Sequence, residues 1–207
     1  MNKGLLFVIS GFSGAGKGTL MKRLTERYPD YALSISATTR SPREGERDGI
    51  EYFFKTEEEF KQMIDNGELL EYEGYVGHYY GTPRKYVEEM MSQGKDVILE
   101  IDVRGGLNIK KQMPEAVLVF VTAPSVRELE RRLRGRATES DDVIRERMSQ
   151  IEREMKSIEH YDYLLINDDI ENALNKMNII ADAERQKVAK NASFIENLEK
   201  EINGGRS

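Results

Sequence analysis

Four short apolar runs, each about the length of a β-strand, recur along the chain. They cover residues 5–9, 97–101, 117–121 and 163–166. Their apolar residues are continuous rather than alternating with polar ones, which is typical of strands buried on both faces of a parallel sheet. The pattern therefore predicts a central sheet of parallel strands.

Between these runs, apolar residues recur at helical spacing. The predicted helices cover residues 16–28, residues 83–93, a segment that opens at the capping box of Ser125, a segment that begins at Asp141, and a long segment over 172–200. The second of these takes Thr82 as its N-cap and Pro83 as its first residue. Alternation of strands and helices predicts an α/β fold with a doubly wound parallel core sheet.

Residues 34–81 interrupt this alternation. They contain short apolar or aromatic runs at 52–54 and 69–75, and Thr56 and Glu59 form a capping box for one helix between them. Short strands with a single helix predict a small mixed insertion beside the main sheet.

A glycine-rich loop directly follows the first apolar run. Residues 11–17 fit the pattern G-x-x-x-x-G-K, with a predicted strand before the loop and a predicted helix after it. Glycines allow backbone N–H groups to approach phosphate oxygens, the helix N-terminus attracts the same anion, and Lys17 adds a positive charge. The loop predicts a triphosphate site formed by Gly11, Phe12, Ser13, Gly14, Ala15, Gly16, Lys17, Gly18 and Thr19.

The loop departs from the usual motif at Gly18, where Ser or Thr would supply a hydroxyl ligand for Mg²⁺. Thr19 or a water molecule is the alternative source of that ligand. Asp102 follows the apolar run at 97–101, and ligands gather at the carboxyl ends of strands in such sheets. Asp102 is therefore predicted as the catalytic metal ligand, the alternative being a solvated carboxylate.

Two arginines three residues apart, Arg40 and Arg43, lie in a loop marked by proline and glycine. Guanidinium groups bind phosphate through paired hydrogen bonds. Tyr52 and Tyr80 offer hydroxyl donors in the same insertion. These residues predict a second phosphate site, against the alternative of a solvated surface turn.

Composition narrows the chemistry further. The chain has 207 residues, no cysteine, two histidines and a net charge of −6. Disulfides, thiolate chemistry and histidine-based metal or triad sites are therefore poor candidates, and the acidic balance argues against nucleic-acid binding. No run approaches the ~18 apolar residues of a membrane span, and the N-terminal apolar run is too short for a signal peptide. We expect a cytoplasmic protein without a membrane partner.

Across nearly its whole length the chain resembles the guanylate kinase family. The resemblance rests on the phosphate loop and on further motifs, which are S-I-S-A-T-T-R-x-x-R-x-G-E at 34–46, G-x-x-Y-x-F at 49–54, E-Y at 71–72, Y-Y-G-T at 79–82, E-I-D-V-x-G at 100–105, G-R-x-T-E at 135–139 and I-N-D-D at 166–169. It implies a P-loop NTPase fold with a core (1–33, 83–130 and 148–207), a GMP-binding insertion (34–82) and a helical lid (131–147).

The resemblance also implies residue roles. The residues that it assigns to the GMP phosphate, the guanine base or their surroundings are Ser36, Arg40, Arg43, Glu46, Tyr52, Glu71, Tyr80, Thr82 and Glu100. Guanine presents two neighbouring donors, N1–H and N2–H₂, and an ionised Glu71 can accept from both. Adenine places an acceptor at the first of these positions, and mismatches of this kind can discriminate by ~10⁴ or more.

Arg136 and Arg147 match lid arginines of the family, which implies a catalytic role on ATP and on the transferring phosphoryl group. Arg132 nearby is predicted as a helix-surface charge. Asn167 matches a position near the ATP base, and capping of the final helix is an equal alternative.

The implied reaction is phosphoryl transfer from MgATP to GMP, giving ADP and GDP, with Mg²⁺ as the cofactor. The first alternative is another nucleoside monophosphate kinase, acting on AMP, dTMP or UMP. The second is a noncatalytic guanylate-kinase-like binding module, although such modules typically lack the complete loop that residues 11–17 form here. The oligomeric state stays open.

Overall fold

The computed structural model describes residues 3–75, 77–135 and 141–204. The strands, in chain order, are β1 Leu6–Gly11, β2 Tyr31–Leu33, β3 Ala37–Thr38, β4 Phe53–Phe54, β5 Leu69–Tyr75, β6 His78–Pro83, β7 Asp96–Glu100, β8 Val117–Thr122 and β9 Tyr163–Ile166. The helices are α1 Lys17–Arg27, α2 Glu57–Asp65, α3 Arg84–Ser92, α4 Val103–Gln112, α5 Val126–Arg134, α6 Asp141–Met155, α7 Ile170–Arg185 and α8 Ala192–Gly204.

The main sheet has five strands in the order β2-β7-β1-β8-β9. All of its pairings are parallel, and β1 lies at the centre between β7 and β8. This order is that of a doubly wound sheet, so the predicted fold class is confirmed. The carboxyl end of β1 lies beside the ends of β7 and β8, where such sheets bind ligands.

The continuous apolar run of β1 is explained by the two cores that it separates. Phe7 and Ile9 join one buried cluster with residues of α1 and α7, whereas Leu6 and Val8 join another with residues of α3 and α4. Because successive residues of a strand point to opposite faces, helices on both faces require apolar side chains at every position. The burial of β1 fixes the position of the loop that follows it.

A second sheet, with the order β4-β3-β6-β5, is formed by the segment that interrupts the alternation. Strands β3 and β4 are parallel, whereas β6 runs antiparallel to both β3 and β5, so the sheet is mixed as predicted. Helix α2 packs Phe60 against this sheet, and Thr56 and Glu59 form the predicted capping box.

Two predicted helix starts need correction. Thr82 is not the N-cap of α3, because it lies in β6 and Pro83 occupies the cap position. The Ser125 hydroxyl does accept from the backbone N–H of Glu128 at 3.1 Å. The second half of that capping box is not formed, because the carboxylate of Glu128 accepts from two arginines of its own helix.

The single helix predicted over 172–200 is wrong. The chain forms α7 and α8 instead, separated by a 3₁₀ turn at Val188–Lys190. The side-chain amide of Asn191 donates to the carbonyls of Arg185 and Lys187 at 2.8 and 2.9 Å, which satisfies acceptors left open at the end of α7. Among the described ranges, no helix combines the length and apolar character needed to cross a bilayer.

Candidate active site

The glycine-rich loop joins β1 to α1 and requires glycine at two close approaches. Gly11 has a φ of 147°, and a Cβ there would lie 2.0 Å from the carbonyl oxygen of Val121. Gly16 has a φ of 84°, and a Cβ there would lie 2.8 Å from Nδ2 of Asn167. A Cβ at Gly11 would clash with the backbone of Val121, and one at Gly16 would clash with the side-chain amide of Asn167, so the loop depends on the absence of Cβ atoms.

Lys17 begins α1 and lies above the loop. Its ammonium group donates to the carbonyls of Gly11 and Phe12 at 2.6 and 3.1 Å. The first turn of α1 carries no acidic residue, so the positive end of the helix dipole is available to an anion.

Side chains from distant parts of the chain hold the loop from outside. Phe12 is buried against Phe120, with ring centroids 4.9 Å apart. The guanidinium of Arg147 on α6 donates to the hydroxyl of Ser13 at 2.7 Å. Arg147 is thus placed at the predicted triphosphate site, whereas Arg136 lies outside the described residues.

Asn167 is buried directly after β9, and its amide Nδ2 donates to the carbonyl of Ala15 at 2.8 Å. The alternative that it caps the final helix is wrong, because Asp169 caps α7 by accepting from the N–H of Asn172. The contact with the loop backbone lies outside both sequence-based alternatives.

Arg132 is also more than the surface charge that its sequence position predicts. Its guanidinium donates to Glu128 at 2.7 Å, to the carbonyl of Asn167 at 3.0 Å and, more weakly, to that of Ala15 at 3.5 Å. The position of Arg132 in the sequence of α5 could not predict these two backbone contacts, because both acceptor carbonyls belong to distant parts of the chain.

Two carboxylates lie close to the loop. Burial raises the pKa of Glu100, at the end of β7, and the positive charge of Lys17 opposes this rise. A Cβ on Gly18 would lie 3.9 Å from the Oε1 atom of Glu100. Glu154 on α6, which the sequence patterns did not single out, has its pKa raised by burial and is likewise stabilised in its ionised form by Lys17.

Asp102 was predicted to bind the metal beside the phosphate loop, but its carboxylate makes other contacts. Its carboxylate accepts from the N–H of Gly105 at 2.7 Å and caps α4. A Cβ on Gly105 would lie 3.3 Å from both Oδ1 of Asp102 and Oε2 of Glu71. Asp102 is therefore close to the predicted base-recognition residue Glu71, while Glu100 is the carboxylate that faces Gly18.

Within the described ranges there is no cluster of three or more histidine or carboxylate groups suited to a metal. Mg²⁺ does not require one, because it is commonly held by one or two carboxylates together with substrate phosphates and water. Glu100, facing Gly18 beside Lys17, fits such a site.

The second predicted site begins with a pair of side chains on the small sheet. Glu71 on β5 and Thr82 on β6 are register partners, and the Thr82 hydroxyl donates to Oε1 of Glu71 at 2.7 Å. Burial raises the pKa of Glu71; the hydrogen bond from Thr82 opposes that rise, and the charge of Asp102 adds to it. The carboxylate is oriented by Thr82, and no hydrogen bond from residues 3–75, 77–135 or 141–204 to its Oε2 atom is found.

The loop over residues 40–46 is held by the carboxylate of Glu46. Oε1 of Glu46 accepts from the guanidinium of Arg40 at 2.9 Å, and Oε2 accepts from the backbone N–H of Arg43 at 2.7 Å. The Arg40 guanidinium also lies 5.3 Å from the ring centroid of Tyr52, whose ring contacts that of Tyr80 at 6.1 Å. The loop therefore presents a preorganised cation beside two tyrosines.

A cavity of about 400 Å³ separates this small sheet from the end of β7. Four residues predicted for the acceptor line it together, namely Ser36, Tyr52, Thr82 and Glu100. Thr19 is exposed on the first turn of α1 and does not line this cavity.

A glycine-rich loop with a lysine at the carboxyl end of a parallel sheet, together with an arginine-bearing loop on a small mixed sheet, is typical of a P-loop phosphotransferase. The family model described as guanylate kinase matches residues 3–184. The chain belongs to the guanylate kinase family.

Individual relatives agree with this assignment. The chain is 50% identical over 189 residues to the guanylate kinase of Lactobacillus delbrueckii subsp. bulgaricus, covering 90% of this chain and 92% of the relative. It is 46% identical over 199 residues to that of Caldanaerobacter subterraneus subsp. tengcongensis, covering 96% and 97%. The crystal structure of guanylate kinase from Anaplasma phagocytophilum has a TM-score of 0.71 at 32% identity, covering 91% of this chain and 90% of that one.

Proposed function

We propose that this chain transfers the γ-phosphoryl group of ATP to the phosphate of GMP, giving ADP and GDP. The observation that carries the choice of acceptor is the Glu71–Thr82 pair, a partly buried carboxylate oriented by a hydroxyl at 2.7 Å. An ionised carboxylate accepts from the N1–H and N2–H₂ donors of guanine, and no other common nucleobase presents that pair. The alternatives of another acceptor base and of a noncatalytic module have no supporting observation.

The donor site is the loop over 11–17, with Lys17 and Arg147 as its side-chain cations. Lys17 donates to loop carbonyls in the present structure. With ATP bound, its ammonium group would contact the β- and γ-phosphates instead. Arg147 contacts the loop through Ser13, and from there it would stabilise the charge that develops on the transferring group. We assign Arg136 the same kind of role from its family position alone.

The acceptor site is the small sheet. Arg40, with Arg43, Tyr52 and Tyr80, would bind the GMP phosphate. Glu46 would act through Arg40 by holding its guanidinium in place. Ser36, Glu71 and Thr82 would recognise the base, and the position of Asp102 beside Glu71 adds it to this group.

Mg²⁺ fits at Glu100 rather than at Asp102. Glu100 faces Gly18 beside Lys17, whereas one oxygen of Asp102 is engaged in capping α4. When bound, Mg²⁺ would neutralise charge on the β- and γ-phosphates. The protein itself contributes the loop N–H groups and the arginines that orient the two phosphates.

In the reaction the bond between the γ-phosphorus and its bridging oxygen to ADP breaks, and a bond to a GMP phosphate oxygen forms. No protein nucleophile is needed, because positioning and charge neutralisation account for catalysis of this type. We propose that the segment 131–147 closes over both substrates as a lid and that residues 34–82 close from the opposite side, which would exclude water from the γ-phosphate.

Product analysis tests the activity. Incubation with MgATP and GMP should form ADP and GDP in a 1:1 ratio, and omission of GMP should leave ATP largely intact. Formation of ADP and free phosphate without GDP would contradict transfer and indicate hydrolysis.

A further inference from the structure

Asn167 is fixed by contacts with three separate parts of the chain. Its backbone N–H donates to Thr122 of β8 at 2.7 Å, and its carbonyl accepts from Arg132 of α5 at 3.0 Å. Its side-chain Nδ2 donates to the carbonyl of Ala15 at 2.8 Å, and the residue is only 6% exposed. Because its backbone N–H, its carbonyl and its side-chain Nδ2 are all hydrogen-bonded, Asn167 has little freedom to turn towards a ligand.

The group that Asn167 contacts is a sensitive point of the phosphate loop. Ala15 is fully buried, Gly16 has a φ of 84°, and Lys17 follows at once. In a planar trans peptide the carbonyl of Ala15 and the N–H of Gly16 point in opposite directions. Because the carbonyl of Ala15 accepts from Asn167, the N–H of Gly16 points away from Asn167.

Arg132 supports the same arrangement from α5. It contacts the carbonyls of both Asn167 and Ala15, and its Nε donates to Glu128 at 2.7 Å, which orients the guanidinium. The carbonyl of Ala15 thus has an amide donor and a weaker guanidinium donor.

We propose that Asn167 is a positioning residue that sets the conformation of the phosphate loop, so that it controls the binding of a triphosphate whatever base the ligand carries. The inference rests on the proposed triphosphate site and adds to it. The family resemblance instead places Asn167 near the ATP base. The two roles differ for a ligand that has phosphates but no base.

Isothermal titration with ATP and with inorganic tripolyphosphate, at the same Mg²⁺ concentration, separates these roles. In Asn167→Leu the donor to the Ala15 carbonyl is lost, and the new side chain has a similar size and no charge. We expect both ligands to bind about tenfold more weakly, by the same factor, as for loss of a buried hydrogen bond. Asp168→Asn is the matched control, because Asp168 is exposed and pairs with Lys176, and both affinities should stay at wild-type values.

An unchanged affinity for tripolyphosphate, with weaker ATP binding, would overturn the proposal and assign Asn167 to the base. Unchanged affinity for both ligands would overturn it as well. Wild-type protein that binds both ligands but forms no GDP would instead refute the proposed function and leave this inference standing.

Hydrogen exchange provides a second test if Asn167→Leu does not fold. In ligand-free Asn167→Ala, the loop amide of Ala15, which donates to the carbonyl of Phe12 at 3.1 Å, should exchange at least several-fold faster than in wild type. Amides of β8 such as Val119 should keep their rates. Equal exchange of Ala15 in both proteins would contradict the positioning role.

Discussion

The two proposed substrate sites differ in the groups that form them. The proposed donor site is a stretch of consecutive backbone, residues 11–17, whose glycines would bring N–H groups to an anion. The proposed acceptor site consists of side chains of β5, β6 and the loop that carries Arg40, and it depends on a partly buried carboxylate and on a paired guanidinium. Backbone donors recognise phosphate without regard to the base, whereas oriented side chains distinguish one base from another.

This difference predicts where substitutions act. Changes at the donor loop should reduce phosphoryl transfer to any acceptor. Changes at the acceptor site should alter the choice and affinity of the monophosphate while leaving ATP binding intact.

The largest effect is expected for Lys17→Ala. Removal of the ammonium deletes a cation that acts on the transferring group, so kcat should fall by about 1,000-fold. The fold should persist, since Lys17 is only partly buried. Steady-state assays with thermal unfolding check both points, and Lys22→Ala, an exposed lysine on the same helix, should retain wild-type kcat. Activity close to wild type in Lys17→Ala would remove Lys17 from the mechanism.

Glu71→Gln should be next in size. The amide retains one acceptor but places a donor against the guanine donors, so kcat/KM for GMP should fall by about 100-fold. The Kd for ATP should stay within a factor of two of wild type, because Glu71 belongs to the acceptor sheet. Glu68→Gln, an exposed change beside the same strand, serves as the control. Unchanged kcat/KM for GMP would refute base recognition by Glu71.

Acid pH should act through the same carboxylate. Because burial raises the pKa of Glu71, the carboxylate becomes protonated at a higher pH than an ordinary glutamate, and one of its two acceptor oxygens then carries a proton. The ratio of wild-type to Glu71→Gln kcat/KM for GMP should therefore shrink as pH falls through that raised pKa, by up to tenfold per pH unit. The ratio cancels titration of the substrate phosphates, and a ratio that is constant with pH would contradict the assignment.

A smaller effect is expected for Glu46→Gln. The Arg40 guanidinium would lose its ionic partner but keep its place beside Tyr52, so KM for GMP should change by up to about fivefold with kcat unchanged. Initial rates at varied GMP measure this split, with Glu44→Gln, an exposed change in the same loop, as the control. A fall in kcat at saturating GMP would show that Glu46 acts on the chemical step instead.

The two sites also differed in how far the sequence predicted them. The donor loop was predictable because its glycines and lysine are adjacent and lie between a strand and a helix. The acceptor residues are spread over residues 36–100. Residue types alone predicted the phosphate site of Arg40 and Arg43, whereas only the family motifs connected the base-recognition residues before the sheet register placed Glu71 opposite Thr82.

Other features could not be read from local patterns. Arg132 and Asn167 both contact Ala15 of the loop, and each is more than 100 residues from Ala15 in the sequence. At the break between α7 and α8 the side chain of Asn191 donates to carbonyls at the end of α7. A single asparagine disfavours a helix interior only weakly, so its presence in the sequence did not mark the break. Glu100 and Asp102 are two residues apart, and only the packing of α1 and α4 places one beside Gly18 and the other beside Glu71.

The most direct test of the account is a panel of nucleoside monophosphates with MgATP, followed by coupled detection of ADP. If the acceptor site reads guanine through Glu71, GMP should be phosphorylated with a kcat/KM at least ~10³-fold above those of AMP, UMP and dTMP. Equal rates with AMP and GMP would contradict the account.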